Sequence, residues 1–345
     1  MNAPFGLKAD LLSLPQPYLL FLGDTTEPGF AKTAFGLRDW AGEKCVGEFS
    51  CGATVTTKLE KMTPAQAVAE GARGLVIGVA NPGGVIPASW RKSLIEALEA
   101  GLDLVAGMHT RLADIPELAE AAERLGRRLI DIRVPPADIP VATGRKRTGK
   151  RLLTVGTDCA LGKKYTALAL ARAFQRRGVD SDFRATGQTG IMIAGGGMPM
   201  DAVVSDFEAG AAEMLSPDAK PGHWDVIEGQ GSLAHPAYAA VSLGLLHGSQ
   251  PDIFVVCHEP GRTEMLGTAG YKVATIEEII DLTLALGRRT NPNIRCGGVS
   301  FNTSALDEVE ASEVMRRESE RLGLPVADPV RGGPAFDALV DSCLA

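Results

Sequence analysis

The chain has 345 residues, of which 45% are hydrophobic and 22% charged, and a net charge of −7. This length exceeds the roughly 150 residues of an average domain, so two domains with sizeable cores are expected, and the balanced composition excludes a disordered chain or a charge-rich coiled coil. Forty glycines against 5% aromatics suit the tight turns of an α/β nucleotide-binding fold, whereas few stacking rings and an acidic balance argue against a nucleic-acid partner.

From Met1 to Pro17 the chain carries Lys8 and Asp10 and no apolar run of signal-peptide length. Nowhere does an apolar stretch approach the ~20 residues that span a bilayer, so a cytoplasmic protein without membrane contact is expected. The six cysteines, Cys45, Cys51, Cys159, Cys257, Cys296 and Cys343, form no CxxC pair or metal-spaced Cys/His cluster and read as reduced thiols. No metal is expected.

The first half alternates apolar runs with helical patterns. Residues 17–24, 73–84, 102–109 and 127–135 read as buried strands, and Thr63-Pro64-Ala65-Gln66 and Asp114-Ile115-Pro116-Glu117 have the cap residue and the Gln or Glu three positions later that open helices. Continuous apolar strands between helices imply a parallel sheet covered on both faces, hence a Rossmann-like, doubly wound domain over residues 1–140. No GxGxxG follows any of these strands. The turn Asn81 to Gly84 follows one of them and reads as a chain reversal, with close approach to a ligand as the alternative.

Residues 135–151 are rich in Pro and cations and lack periodicity, placing a basic linker at 141–150. Arg145, Lys146, Arg147, Lys150 and Arg151 read as a solvated connector, with phosphate binding as the alternative. The remainder, 151–345, starts a second alternation of P-loop NTPase-like type with a parallel sheet. A strand at 151–156 runs into a Gly-rich turn and a helix ending near Gly178, with Leu168, Ala171 and Phe174 on one face and Arg172, Arg176 and Arg177 largely off it.

The turn Gly156-Thr157-Asp158-Cys159-Ala160-Leu161-Gly162-Lys163 fits G-x-x-x-x-G-K between a strand and a helix. Backbone N–H groups there form an anion nest, the helix N-terminus adds its dipole, and Lys163 reaches a phosphate. These residues, with Lys164 and Tyr165 beyond them, are the expected cofactor-binding set. Position 164 departs from the phosphoryl-transfer pattern, which has a metal-ligating Ser or Thr where this chain has Lys164. Such a loop holds phosphates but is ill suited to metal-assisted phosphoryl transfer, and coenzyme A suits it.

Ligands of open parallel sheets lie beyond the carboxyl ends of the strands. The corresponding segments carry Gln188, Thr189, Glu228, Gln230, Ser232, His235, His258, Glu259, Arg262 and Asn302. Glu228 stands where a Walker-B-like acid would, at the end of an apolar strand. His109, His223 and His247 are given no role.

The segments GTDCALGKK and IEGQGS, within GTDCALGKKYTALAL and IEGQGSLAHPAY, resemble the dethiobiotin synthetase class of P-loop proteins. Together with KTAFGLRDW, VIGVANPGG and TGQTGIMIAGGG, they are more similar to a domain family with a Rossmann-like N-terminal part, a GTDCA-x-GKK loop and a C-terminal P-loop domain. The resemblance covers the whole chain and implies transfer of an acetyl group from acetyl-CoA, as co-substrate, to the amine of a D-amino acid, D-glutamate first, in D-amino acid catabolism. For that reaction Glu228 and His235 are the candidate bases. Gln188, Thr189, Gln230 and Ser232 are candidate substrate and oxyanion donors, and Arg262, then Lys32 and Arg38, are candidate cations for the substrate carboxylates. The partners expected are these small molecules and, as a homo-oligomer, further copies of the chain. The rival readings are an ATP- and Mg²⁺-dependent synthetase or kinase, with Asp158 and Glu228 on the metal, and a nucleotide-binding module without chemistry.

Overall fold

The computed structural model describes residues 12–345, so the N-terminal stretch read above as lacking a leader lies largely outside the described residues. The fold is α/β throughout, in two compact units. One comprises the residues up to Pro136 together with Gln188–Ala202, and the other comprises Ala137–Gly187 and Val203–Ala345. No helix among the described residues is long and apolar enough to cross a membrane.

In the first unit, β2 (Tyr18–Phe21), β3 (Cys45–Phe49), β4 (Gly74–Ile77), β5 (Asp103–Ala106) and β6 (Leu129–Asp131) form a parallel sheet in the order β3-β2-β4-β5-β6. Every residue of β2, β4 and β5 is buried, as expected of strands covered on both faces. β3 escapes a reading based on apolar runs because Gly47 and Glu48 interrupt it. Buried Glu48 is stabilised by Thr56 and Thr57 hydroxyls and the Thr57 N–H, each at 2.6 Å.

Thr63 and Gln66 form the expected capping box for the helix Pro64–Ala69. The second expected start moves by one residue: the helix Pro116–Leu125 is N-capped by Ile115 without a side-chain bond, and Asp114 belongs to the preceding turn. Pro116 decides this, because proline lacks an N–H and fits the first helical position.

Gln188–Ala202, read above as part of the C-terminal domain, packs with the first unit. Its β9 (Gly196–Gly197) pairs antiparallel with β1 (Leu12–Ser13). Its helix, Gln188–Ala194, buries Ile191, Met192 and Ile193 and accepts the Tyr18 hydroxyl on the Met192 carbonyl at 3.1 Å.

The second unit has a six-stranded parallel sheet of β7 (Lys150–Gly156), β8 (Ser181–Arg184), β10 (Trp224–Ile227), β11 (Ile253–His258), β12 (Arg295–Phe301) and β13 (Val326–Ala327), ordered β13-β12-β11-β7-β10-β8. β7 lies between β10 and β11, where the winding reverses, so its carboxyl end is the topological switch point at which such sheets bind ligands. The helix Lys163–Arg176 covers it, burying Leu168, Ala171 and Phe174 as the periodicity predicts. Phe174 meets Trp224 edge-on at 5.4 Å, and its truncation to Ala would cost about 3–5 kcal/mol.

The basic run is not a solvated connector throughout. Arg147 and Arg151 are buried. Arg147 donates to the Ser216 and Gly248 carbonyls at 2.6 and 2.7 Å, and Arg151 donates to the Ser216 hydroxyl at 2.6 Å, which in turn donates to Asp225 at 2.8 Å. Burial, followed by the neighbouring Arg151 charge, pulls the Arg147 pKa down to about 10. These donors are committed to the protein's own carbonyls rather than offered to a phosphate.

Candidate active site

The phosphate loop leaves β7 at Gly156 and ends at Gly162, which caps the helix at φ 102, a left-handed conformation that favours glycine. Ala160 also lies at positive φ, 55, so the loop curls through two left-handed positions, the kind of backbone from which anion nests are built. The loop is pinned from beneath: Thr154 donates to the Lys163 carbonyl at 3.2 Å and accepts the Gly229 N–H at 2.9 Å. A Cβ on Gly229 would lie 1.6 Å from the Thr154 carbonyl oxygen, so only glycine fits where the β10 turn passes β7. At the other edge the Thr157 hydroxyl shares a hydrogen bond with His258 Nδ1 at 2.9 Å.

Lys163 is buried and folds back, its Nζ donating to the Asp158 carbonyl at 2.7 Å. Burial depresses its pKa, and an anion bound beside it would favour the charged form. Lys164 lies over the Tyr165 ring at 4.5 Å.

Asp158 is fully buried, and donors surround its carboxylate. Oδ1 accepts the Cys159 N–H at 2.6 Å, and Oδ2 accepts Arg262 Nη1 at 3.0 Å and the Leu266 N–H at 2.8 Å. The other donors of Arg262 reach the Cys159 carbonyl at 2.8 Å and the Glu259 carboxylate. Arg262, expected on a substrate carboxylate, is thus engaged as a strut between the phosphate loop and the segment after β11. The Leu266 N–H, a partner no sequence signal indicates, completes that strut.

Glu228 follows β10 and is buried. Its Oε2 accepts the Thr186 and Gly187 N–H groups at 3.0 and 3.1 Å, while Thr186 Oγ1 donates to the Glu228 carbonyl at 2.7 Å and accepts Gln230 Nε2 at 2.8 Å. Thr186, absent from the sequence candidates, therefore organises both Glu228 and Gln230. Burial raises the Glu228 pKa against the lowering effects of Lys164, the two N–H groups and Lys163. A carboxyl displaced toward neutrality is suited to proton transfer.

Ser232 is buried in the turn that follows, where it accepts the Ala234 N–H at 3.2 Å. His235 is buried against the Tyr238 ring, 4.6 Å between centroids. Its Nδ1 accepts the Ala237 N–H at 3.1 Å. An accepted N–H needs a lone pair, so the neutral ring carries its proton on Nε2. That Nε2 has no hydrogen-bond partner among the described residues and lies 3.8 Å from Asp158 Oδ1. Toward the loop His235 therefore presents a donor, which suits an anionic ligand better than the role of base. Asp158, Cys159 and His235 bring one potential metal-ligand atom each within 4.8 Å of one another. Asp158 is saturated by donors, however, and His235 points an N–H inward, so this cluster is organised around hydrogen bonds. Likewise both carboxylates named for Mg²⁺ in the synthetase reading already accept backbone N–H groups.

The remaining candidates belong to the first unit. Thr189 Oγ1 lies 3.4 Å from Thr33 Oγ1, and Gln188, in the amide orientation its neighbours satisfy, donates to the Gly107 carbonyl and accepts Arg133 Nη2 at 3.2 Å. Lys32 is exposed at the start of the helix Lys32–Ala41. Arg38 is paired with Asp39 at 2.6 Å and stacked over Phe35 at 5.0 Å.

A doubly wound unit and a second unit whose Gly-rich loop carries lysine in place of the metal-ligating hydroxyl define a two-domain α/β protein of P-loop type. The chain belongs to the DUF1611 family: residues 140–340 match its P-loop domain and residues 39–135 its Rossmann-like domain, both described as domains of unknown function. It is 51% identical to a D-glutamate N-acetyltransferase of Tritonibacter scottomollicae over 95% of this chain and 98% of that protein. It is 47% identical to a D-glutamate N-acetyltransferase of a Pseudoalteromonas species, over 97% and 99%. A crystal structure of a DUF1611 family protein from Anabaena variabilis is similar at a TM-score of 0.81 and 35% identity, covering 95% of this chain and 98% of that one.

Proposed function

We propose that this protein transfers the acetyl group of acetyl-CoA to the amine of D-glutamate, a step in D-amino acid catabolism. The observation that carries this reading is identity of 51% and 47%, over almost the whole chain, to two proteins named for that activity. The phosphate loop supports the choice of donor. Lys163 and Lys164 supply positive charge for a pyrophosphate, and position 164 lacks the hydroxyl that ligates the metal of a phosphoryl transfer.

In this reading the amine nitrogen attacks the thioester carbonyl, the C–S bond breaks, and the thiol, with a pKa near ~8.5, leaves with little acid assistance. Glu228 accepts the proton that the amine loses. The His235 Nε2–H and the backbone N–H groups around the loop supply donors for negative charge, either on the donor's phosphates or on the developing oxyanion. Arg262 acts indirectly by holding Asp158.

The test is free thiol release from acetyl-CoA with a panel of D- and L-amino acids, run beside ATP with Mg²⁺. Release with D-glutamate, matched by N-acetyl-D-glutamate formed, supports the assignment. Stoichiometric ATP cleavage without thiol release would refute it in favour of a synthetase or kinase.

A further inference from the structure

The second unit has a groove of about 910 Å³ at the carboxyl ends of β11 and β12, lined by residues of the segment after β11 and of the helix Glu308–Leu322. Two of its lining residues also grip the phosphate loop: His258 through Thr157, and Arg262 through Asp158 and the Cys159 carbonyl. The groove therefore borders the first half of the loop.

Its wall combines apolar surface, including Val273 and Val314, with four cations and three carboxylates, Glu264, Glu277 and Glu318, of which Glu264 lies across a backbone bridge from Lys272. Two of these cations are engaged. Arg262 is tied to Asp158 and Glu259, and Arg321 to Glu277 and Glu318. The other two remain at the rim. Lys272 is exposed and makes no hydrogen bond or ion pair to a described residue, and Arg317, 66% exposed, has only a 3.7 Å contact with Glu318.

We infer that this groove binds the adenosine 3′-phosphate end of the acyl-CoA, with Lys272 and Arg317 on the terminal phosphate. The inference rests on the acyl-CoA reading above and deepens it by assigning a direction to the donor. With the pyrophosphate at the loop, the two ends of coenzyme A leave on different sides. One is the neutral pantetheine arm, which gains nothing from cations whose desolvation is costly. The other carries a phosphate monoester with a charge of about −1.5 to −2 near neutral pH, matched to two cations that no side-chain hydrogen bond holds in place. The volume is also within the range of about 300–1,000 Å³ usual for small-ligand sites, and the apolar wall suits an adenine ring.

The test is calorimetric titration of the whole chain with coenzyme A and with 3′-dephospho-coenzyme A, using the wild type, Lys272→Ala and Arg317→Ala. Both substitutions are at exposed positions, so the variants should fold normally. The wild type should bind coenzyme A roughly ten- to a hundredfold more tightly than the dephospho form, the effect of one or two charge-assisted hydrogen bonds. Each variant should lose most of that preference while binding the dephospho ligand about as tightly as the wild type. Tight wild-type binding of both ligands without preference, or variants that weaken both alike, would overturn the groove assignment alone. No binding of coenzyme A by the wild type would overturn the acyl-CoA reading and the groove with it.

Discussion

Glu228→Gln separates the chemistry of the site from its architecture. The two backbone N–H groups at 3.0 and 3.1 Å both fall on Oε2, and a glutamine carbonyl oxygen has lone pairs for both. Exchanging a charged for a neutral acceptor weakens each bond by about 1 kcal/mol, hence about 2 kcal/mol in all. Against this, the substitution removes a carboxylate whose burial raises its pKa. Because the folded pKa lies above the ordinary carboxylate value, the folded state holds the proton more tightly. The contribution to stability is therefore full at low pH and is lost as pH rises from the unfolded toward the folded pKa. At neutral pH Gln escapes that loss, so the two effects oppose each other and the variant stays folded, with a flatter dependence of Tm on pH than the wild type above about pH 4.5. Turnover should behave differently: losing a general base lowers kcat by about 10²–10⁴, while acetyl-CoA binding stays near the wild-type value. The measurements are initial rates of thiol release, titration with coenzyme A and thermal unfolding between about pH 5 and 8. Full turnover in a folded Glu228→Gln protein would refute the assignment.

Lys163→Ala should weaken coenzyme A by roughly ten- to a hundredfold in a direct titration without loss of the fold; unchanged affinity would remove the loop from the binding site. Arg262→Ala releases the strut between the phosphate loop and the segment after β11, so steady-state kinetics should show KM for acetyl-CoA rising by about tenfold or more and KM for D-glutamate changing little. A rise confined to D-glutamate would mean that the guanidinium meets a substrate carboxylate after all. Excess EDTA should leave turnover within about twofold, because Lys163 and Lys164 provide the positive charge, and strict Mg²⁺ dependence would promote the synthetase reading.

The phosphate loop was legible because its geometry restricts residue choice: glycine at the left-handed cap Gly162, lysine at the helix start, a strand before and a helix after. Glu228 was legible as an acid at a strand end. What it accepts was not, since Thr186 lies 42 residues earlier and is placed only by the pairing of β8 with β10. The same limit hid the docking of Gln188–Ala202. Its helix has seven residues and β9 two, too short for periodicity to indicate which sheet they join. Arg147 and Arg151 read as solvated charge because the carbonyls that receive them, at Ser216, Pro217 and the helical Gly248, come from segments distant in the chain. Position along the chain misleads where a side chain's partners are remote backbone atoms.

If the loop holds phosphates as proposed, its carboxylate needs a physical account, because two like charges about 4 Å apart repel by about 4 kcal/mol at an effective dielectric constant near 20. The bonding of Asp158 supplies it. Arg262, shared with Glu259, offsets part of its charge, and the Cys159 and Leu266 N–H groups take two more of its acceptor directions, which lowers the negative potential at the loop. What faces the loop instead is the His235 Nε2–H, a donor fixed by the hydrogen bond at Nδ1. Asp158 thus works as an anchor that joins the phosphate loop to the segment after β11, the same segment that lines the 910 Å³ groove. The shape of the loop and the shape of that groove consequently depend on one buried ion pair.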